Sequence, residues 1–149
     1  MPKIDHFSGN LCESVRQEVS GSITLVGCIS GEVHAADLGP FLVTPVANCL
    51  PKEKGIAKIC VLVGFESNSG KVQEQLTIGE LEVESLTQTY LPSDPVIFDI
   101  EEPGFIYFEV MELPSNLDVD NMEKDSVHLR KLAVSCQMCA RIEIHTREE

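Results

Sequence analysis

The sequence predicts an all-β chain: a single antiparallel β-sandwich of about seven to eight strands over residues 1–149, with one irregular proline-rich connection. Three observations predict it. The last third alternates apolar and polar residues at every second position, short β-branched runs are bounded by Gly, Pro, Asn and Ser, and no long stretch keeps helical spacing. The chain has 149 residues, 43% apolar and 23% charged, which suits one domain around one core.

Taken in order, Ile23, Leu25 and Ile29 alternate with Thr24 and Ser30 after the turn Val19-Ser20-Gly21-Ser22, which predicts a half-buried strand. Asp37 to Lys54 carries Pro40, Pro45 and Pro51. Proline lacks the N–H that a central strand or a helix interior needs, so this segment is expected to be an irregular loop. Ile59 to Phe65 is nearly all apolar and reads as a central strand, followed by a hairpin turn at Ser67-Asn68-Ser69-Gly70. Val72, Leu76, Val83, Leu86 and Tyr90 fit helical spacing, but Gly79 weakens a helix interior, and Leu76 with Ile78 and Leu81 with Val83 fit a strand. A strand with a bulge or turn at Gly79 is expected.

Val96 to Ile100 and Phe105 to Met111 are two further strands joined by the turn Glu101-Glu102-Pro103-Gly104, and Ser115 to Asp125 is a polar connection. From Leu132, the residues Val134, Cys136, Met138, Ala140, Ile142 and Ile144 share one face of a final strand. The expected core is Leu25, Ile59, Val61, Val63, Phe98, Phe108, Val134, Met138 and Ile142.

Residues 10–27 carry Cys12-Glu13-Ser14-Val15-Arg16-Gln17-Glu18, a glycine at 21, and Leu25-Val26-Gly27. This opening resembles a family of small uncharacterised bacterial and phage proteins that begin with a Cys-Glu-x-Val-Arg-x-Glu strand, a glycine turn and a strand ending Leu-x-Gly. The resemblance extends over about residues 8–113 and implies an all-β sandwich-like fold. It brings no activity, ligand or catalytic residue to this chain.

No catalytic set, cofactor site or metal site emerges from the residues. Cys136-Gln137-Met138-Cys139 has the spacing of a zinc or redox pair, but a spacing of three inside a strand sends the two sulfurs to opposite faces. Cys136 is expected in the core and Cys139 on the other face. The six cysteines read as free thiols of a reducing compartment. His6, His34, His128 and His145 are dispersed, with no His-Glu-x-x-His. His34 lies three residues before Asp37, a spacing that suits a base oriented by a carboxylate, without a nucleophile motif beside it. Gly-x-Ser-x-Gly and phosphate-cradling glycine loops are absent from the sequence. Asp118-Val119-Asp120 with Glu123 offers hard oxygen ligands without the calcium-loop pattern.

Eleven basic against twenty-four acidic residues leave a formal charge of −13, which opposes direct binding to nucleic acid or anionic membrane. The charge is regional. Six acidic and five basic residues precede Glu66, net −1, whereas eighteen acidic and six basic occur from it onward, net −12. No apolar run resembles a signal-peptide core or a membrane span, so a cytoplasmic location is expected.

The leading expectation is a non-enzymatic interaction module for a protein partner, with its contact surface in 37–54 or in the acidic region 94–125. A small-ligand binder or enzyme with a pocket near His34 and Asp37 is the alternative. A third reading is an acidic nucleic-acid mimic that occupies a basic DNA- or RNA-binding protein. Edge strands leave room for a homo-oligomer.

Overall fold

The computed structural model describes residues 2–17, 19–20, 23–29, 31–35, 38–121 and 124–146. Among them, the chain forms ten strands: β1 Ile4–Gln17, β2 Ile23–Ile29, β3 Gly31–Ala35, β4 Pro40–Pro51, β5 Gly55–Ser67, β6 Val72–Val83, β7 Thr89–Pro92, β8 Val96–Asp99, β9 Gly104–Leu113 and β10 Ser135–Thr146. One sheet has the order β2-β1-β4-β7, with β8 also pairing β4; the other has the order β3-β10-β9-β5-β6. All pairings are antiparallel except β3 with β10. The fold is therefore an all-β sandwich, as the alternation predicts.

The inner faces of both sheets meet in one core that includes Phe7, Leu11, Val43, Ala47, Val63, Phe65, Phe98, Phe108 and Ile142. A second, smaller core lies on the outer face of the second sheet. There Cys60, Leu62, Tyr107, Met111 and Leu113 pack under Leu129 of a short helix, α1 Ser126–Leu132. Strands β5 and β9 are thus covered on both faces, which is why 59–65 reads as an unbroken apolar run.

Several expectations are corrected. Residues 40–51 form a central strand, not a loop. Pro40 and Pro51 stand at its ends, and Pro45 sits where the partner changes from β8, on residues 40–43, to β7, on residues 46–49. The Pro45 carbonyl accepts from Ser93 N–H on that side at 3.1 Å, so the nitrogen that cannot donate also faces the gap between two partners. Gly79 makes no bulge: β6 pairs with β5 in unbroken register from Val72 to Val83. Leu132 belongs to α1, which starts where the Asp125 carboxylate accepts the His128 backbone N–H at 2.9 Å.

The alternation of the last strand also changes face. The register shifts between Met138 and Ala140, leaving Cys139 as an extra residue. Val134 and Met138 are therefore exposed at 41% and 52%, while Ile142 and Ile144 lie in the core. Leu25 is only half-buried, whereas Ile59, Val61, Val63, Phe98, Phe108 and Ile142 are buried as expected. Strands β3 and β7 are additions to the predicted set, being short and weakly patterned. No helix among the described residues is long and apolar enough to cross a membrane.

Candidate functional site

Polar chemistry gathers on the outer face of the second sheet. Strand β10 places Tyr107 opposite Arg141 and Met138 opposite Glu109. The Arg141 guanidinium lies over the Phe105 ring, 3.9 Å from its centre, and Phe105 in turn contacts Tyr107. Tyr107 crosses Gly64, and its hydroxyl donates to Glu74 at 2.7 Å. Burial, then that hydrogen bond to a carboxylate, holds the phenol well above its ordinary range, so it is a donor here and not a base.

Beside it, Arg130 of α1 grips the buried Glu109 with two bonds, Nε at 2.9 Å and a terminal nitrogen at 3.0 Å. Cys136 Sγ is 3.5 Å from the same carboxylate. Burial and the Glu109 charge push the Cys136 thiol up to about 11, and burial pushes Cys60 to about 12. These thiols stay protonated at neutral pH and are poor nucleophiles.

At the far edge of the same sheet, the parallel register sets Glu32 beside Glu143 and His34 beside His145. The two imidazole rings stack with centres 5.1 Å apart. His145 Nε2 is 3.4 Å from a Glu143 oxygen and 3.6 Å from a Glu32 oxygen, and His34 Nε2 is 3.7 Å from the other Glu32 oxygen. Among the described residues, His145 Nε2 is shielded from solvent without a hydrogen-bond partner.

Comparison with protein-family models, with curated proteins and with solved structures finds no match. The resemblance of residues 10–27 to small bacterial and phage proteins thus has no family model behind it.

The residues singled out by sequence are dispersed. His34 joins the edge array, and Asp37 lies outside the described residues. Cys136 and Cys139 fall on opposite faces, but in the reverse sense to that expected: Cys136 looks outward to Glu109 and Cys139 packs against the main core, because the extra residue flips the strand. His6 is exposed on β1, and His128 is in the first turn of α1. Asp118 and Asp120 line an open depression of ≈ 310 Å³ that also holds Lys58, while Glu123 lies outside the described residues. Within 94–125, Glu109 and Glu112 are buried; Glu112 accepts the backbone N–H groups of Lys3 and Ile4.

Glu32, Glu143 and His145 were not signalled by composition or by any spacing template. The signal available is a repeated tripeptide: Glu32-Val33-His34 and Glu143-Ile144-His145 have the same form. In a strand, the Glu and His of each share a face while the aliphatic residue points into the core.

Proposed function

We propose that the chain is a non-enzymatic interaction module whose contact surface is the outer face formed where β4 and β8 pair. One observation carries this reading. Leu42 and Ile97 stand directly opposite each other in that pairing and are 47% and 66% exposed. Their neighbours Val43, Val96 and Phe98 are locked in the core, so the strands hold the two aliphatic side chains outward on a rigid base. Leu50 and Tyr90 extend the exposed apolar residues along β4 and β7.

The two segments marked by sequence, 37–54 and 94–125, meet in this one pairing. Asp94, Asp99 and Glu101 are exposed along the second of them. Their chemistry suits a protein partner presenting an apolar strip flanked by lysine or arginine, drawn in by long-range attraction and held by apolar burial worth about 1.5–3 kcal/mol per aliphatic side chain.

The test is a comparison of wild type with the double variant Leu42→Ser/Ile97→Ser in affinity capture from the native host, at low and high salt. The reading expects a specific protein recovered by wild type, more weakly at high salt, and lost with the folded double variant. Equal recovery by both chains removes this surface as the contact. A wild-type dimer that the double variant turns into a monomer, seen by sedimentation, replaces the foreign partner with a second copy.

A further inference from the structure

We infer that Glu32, Glu143 and His145, with His34 beside them, form a binding site for one divalent transition-metal ion of the zinc type. The sequence repeats a Glu-aliphatic-His tripeptide, Glu32-Val33-His34 and Glu143-Ile144-His145. Its two copies are separated by more than a hundred residues of chain, yet β3 and β10 pair them in parallel, Glu on Glu and His on His. Parallel pairing keeps matched residues on one face, so all four donor side chains stand on one small square of sheet.

The spacings suit a metal better than they suit hydrogen bonds. One donor atom from each of Glu32, Glu143 and His145 lies within 4.8 Å of the others. Two of the separations, 3.4 and 3.6 Å, are long for an N–H···O bond, whose mode is about 2.9–3.0 Å. A tetrahedral zinc site with bonds of about 2.0–2.1 Å separates its ligand atoms by about 3.4 Å. The two distances from His145 Nε2 thus match that ligand separation, and the third donor pair lies within 4.8 Å. His145 Nε2 is shielded and has no hydrogen-bond partner among the described residues, although its side chain is 40% exposed.

Three further features fit. Arg141, the next residue on that face of β10, directs its guanidinium over Phe105. Two imidazoles stacked with centres 5.1 Å apart hold both rings together on that face of the sheet. His34 Nε2 lies 3.7 Å from a Glu32 oxygen, beside the three-donor group. Imidazole nitrogen combined with carboxylate oxygen favours Zn²⁺ over the all-oxygen shells of Ca²⁺ and Mg²⁺ and over thiolate-seeking Cu(I).

The site also has a structural consequence. Strand β2 belongs to the first sheet and β3 to the second, so the chain turns a corner between them. Gly31 opens β3 with φ +73°, a left-handed conformation that suits glycine at such a corner. A metal held jointly by β3 and β10 clips this edge strand to its neighbour in the sheet order.

The experiment uses the full chain stripped with a chelator, titrated with Zn²⁺ by calorimetry and with Co²⁺ by absorption. One ion per chain is expected, with His145→Ala and Glu143→Gln each weakening binding on the order of tenfold or more. Cobalt should show d–d bands without thiolate charge-transfer absorption, because the six cysteines take no part. Zinc should raise the thermal midpoint of wild type and leave that of His145→Ala unchanged. Circular dichroism checks that each variant is folded, and His34→Ala with Glu32→Gln serve as the second pair. Absence of binding by wild type at submillimolar Zn²⁺, unchanged affinity in the folded variants, or a thiolate band on cobalt loading each overturns the site.

Discussion

Tyr107 occupies the space above Gly64 that any side chain would fill. A β-carbon at Gly64 would collide with its Cζ and hydroxyl, whereas one at Gly79, on the next strand, would meet nothing within 4 Å. Gly64→Ala should therefore cost about 1–3 kcal/mol and break the bond to Glu74, while Gly79→Ala should gain about 0.5–1 kcal/mol by removing glycine from a strand interior. Urea denaturation of the two variants checks both signs. The buried thiols make a second residue-scale prediction. Burial first, then the Cys136 and Glu109 charges, raise Cys60 from 9.0 to about 12. A folded-state value above the unfolded one means that the stability from burying the neutral thiol is fully present below pH 9 and is lost as pH climbs toward 12. The urea midpoint should fall above about pH 9, and Cys60→Ala should flatten that fall.

Helix α1 is too short to be stable by propensity, and it holds its place by what it covers. Leu129 is fully buried against Cys60, Leu62, Tyr107 and Met111, and Arg130 closes over Glu109. Leu129→Ala should cost about 2–5 kcal/mol, and it should speed alkylation of the buried Cys60 as the lid loosens. Mass spectrometry after a timed pulse of iodoacetamide measures the second effect, and unchanged labelling would separate the helix from that thiol. The strands show why element boundaries were only partly legible. The runs at 59–65, 96–100 and 105–111 were plain because aliphatic and aromatic residues must leave water. The strand at 40–51 was hidden because a proline rule assumes a single partner on each side, and here the partner changes at Pro45.

The two cores are not independent units. Strands β5 and β9 contribute alternate residues to each: Val61, Val63, Phe108 and Val110 inward, Cys60, Leu62, Tyr107 and Met111 outward. Loss of either core therefore unsettles the other. Unfolding of a Tyr90→Phe variant, in which tyrosine fluorescence comes from Tyr107 of the outer core, followed also by far-ultraviolet circular dichroism, should give coincident transitions. Separated midpoints would show that the layer under α1 melts by itself. At this scale the charge has no single destination. Among the described residues, the acidic side chains of 94–125 include buried groups that bind backbone or arginine, such as Glu112 and Glu109, and exposed ones such as Asp94 and Asp99.

By itself, the amino-acid order determined the all-β class, the core residues Ile59, Val61, Val63, Phe98, Phe108 and Ile142, and the hairpin at Ser67-Gly70. Each depends only on local alternation, burial of oily side chains or turn chemistry between near neighbours. Tertiary structure decided the rest. An extra residue at Cys139 reversed which thiol faces the core, a change of partner let Pro45 into the middle of a sheet, and a parallel pairing of distant strands brought Glu32, Glu143, His34 and His145 together. The physical reason is common to all three. Strand register is set by contacts between segments far apart along the chain, and a shift of one residue exchanges every inward side chain for an outward one.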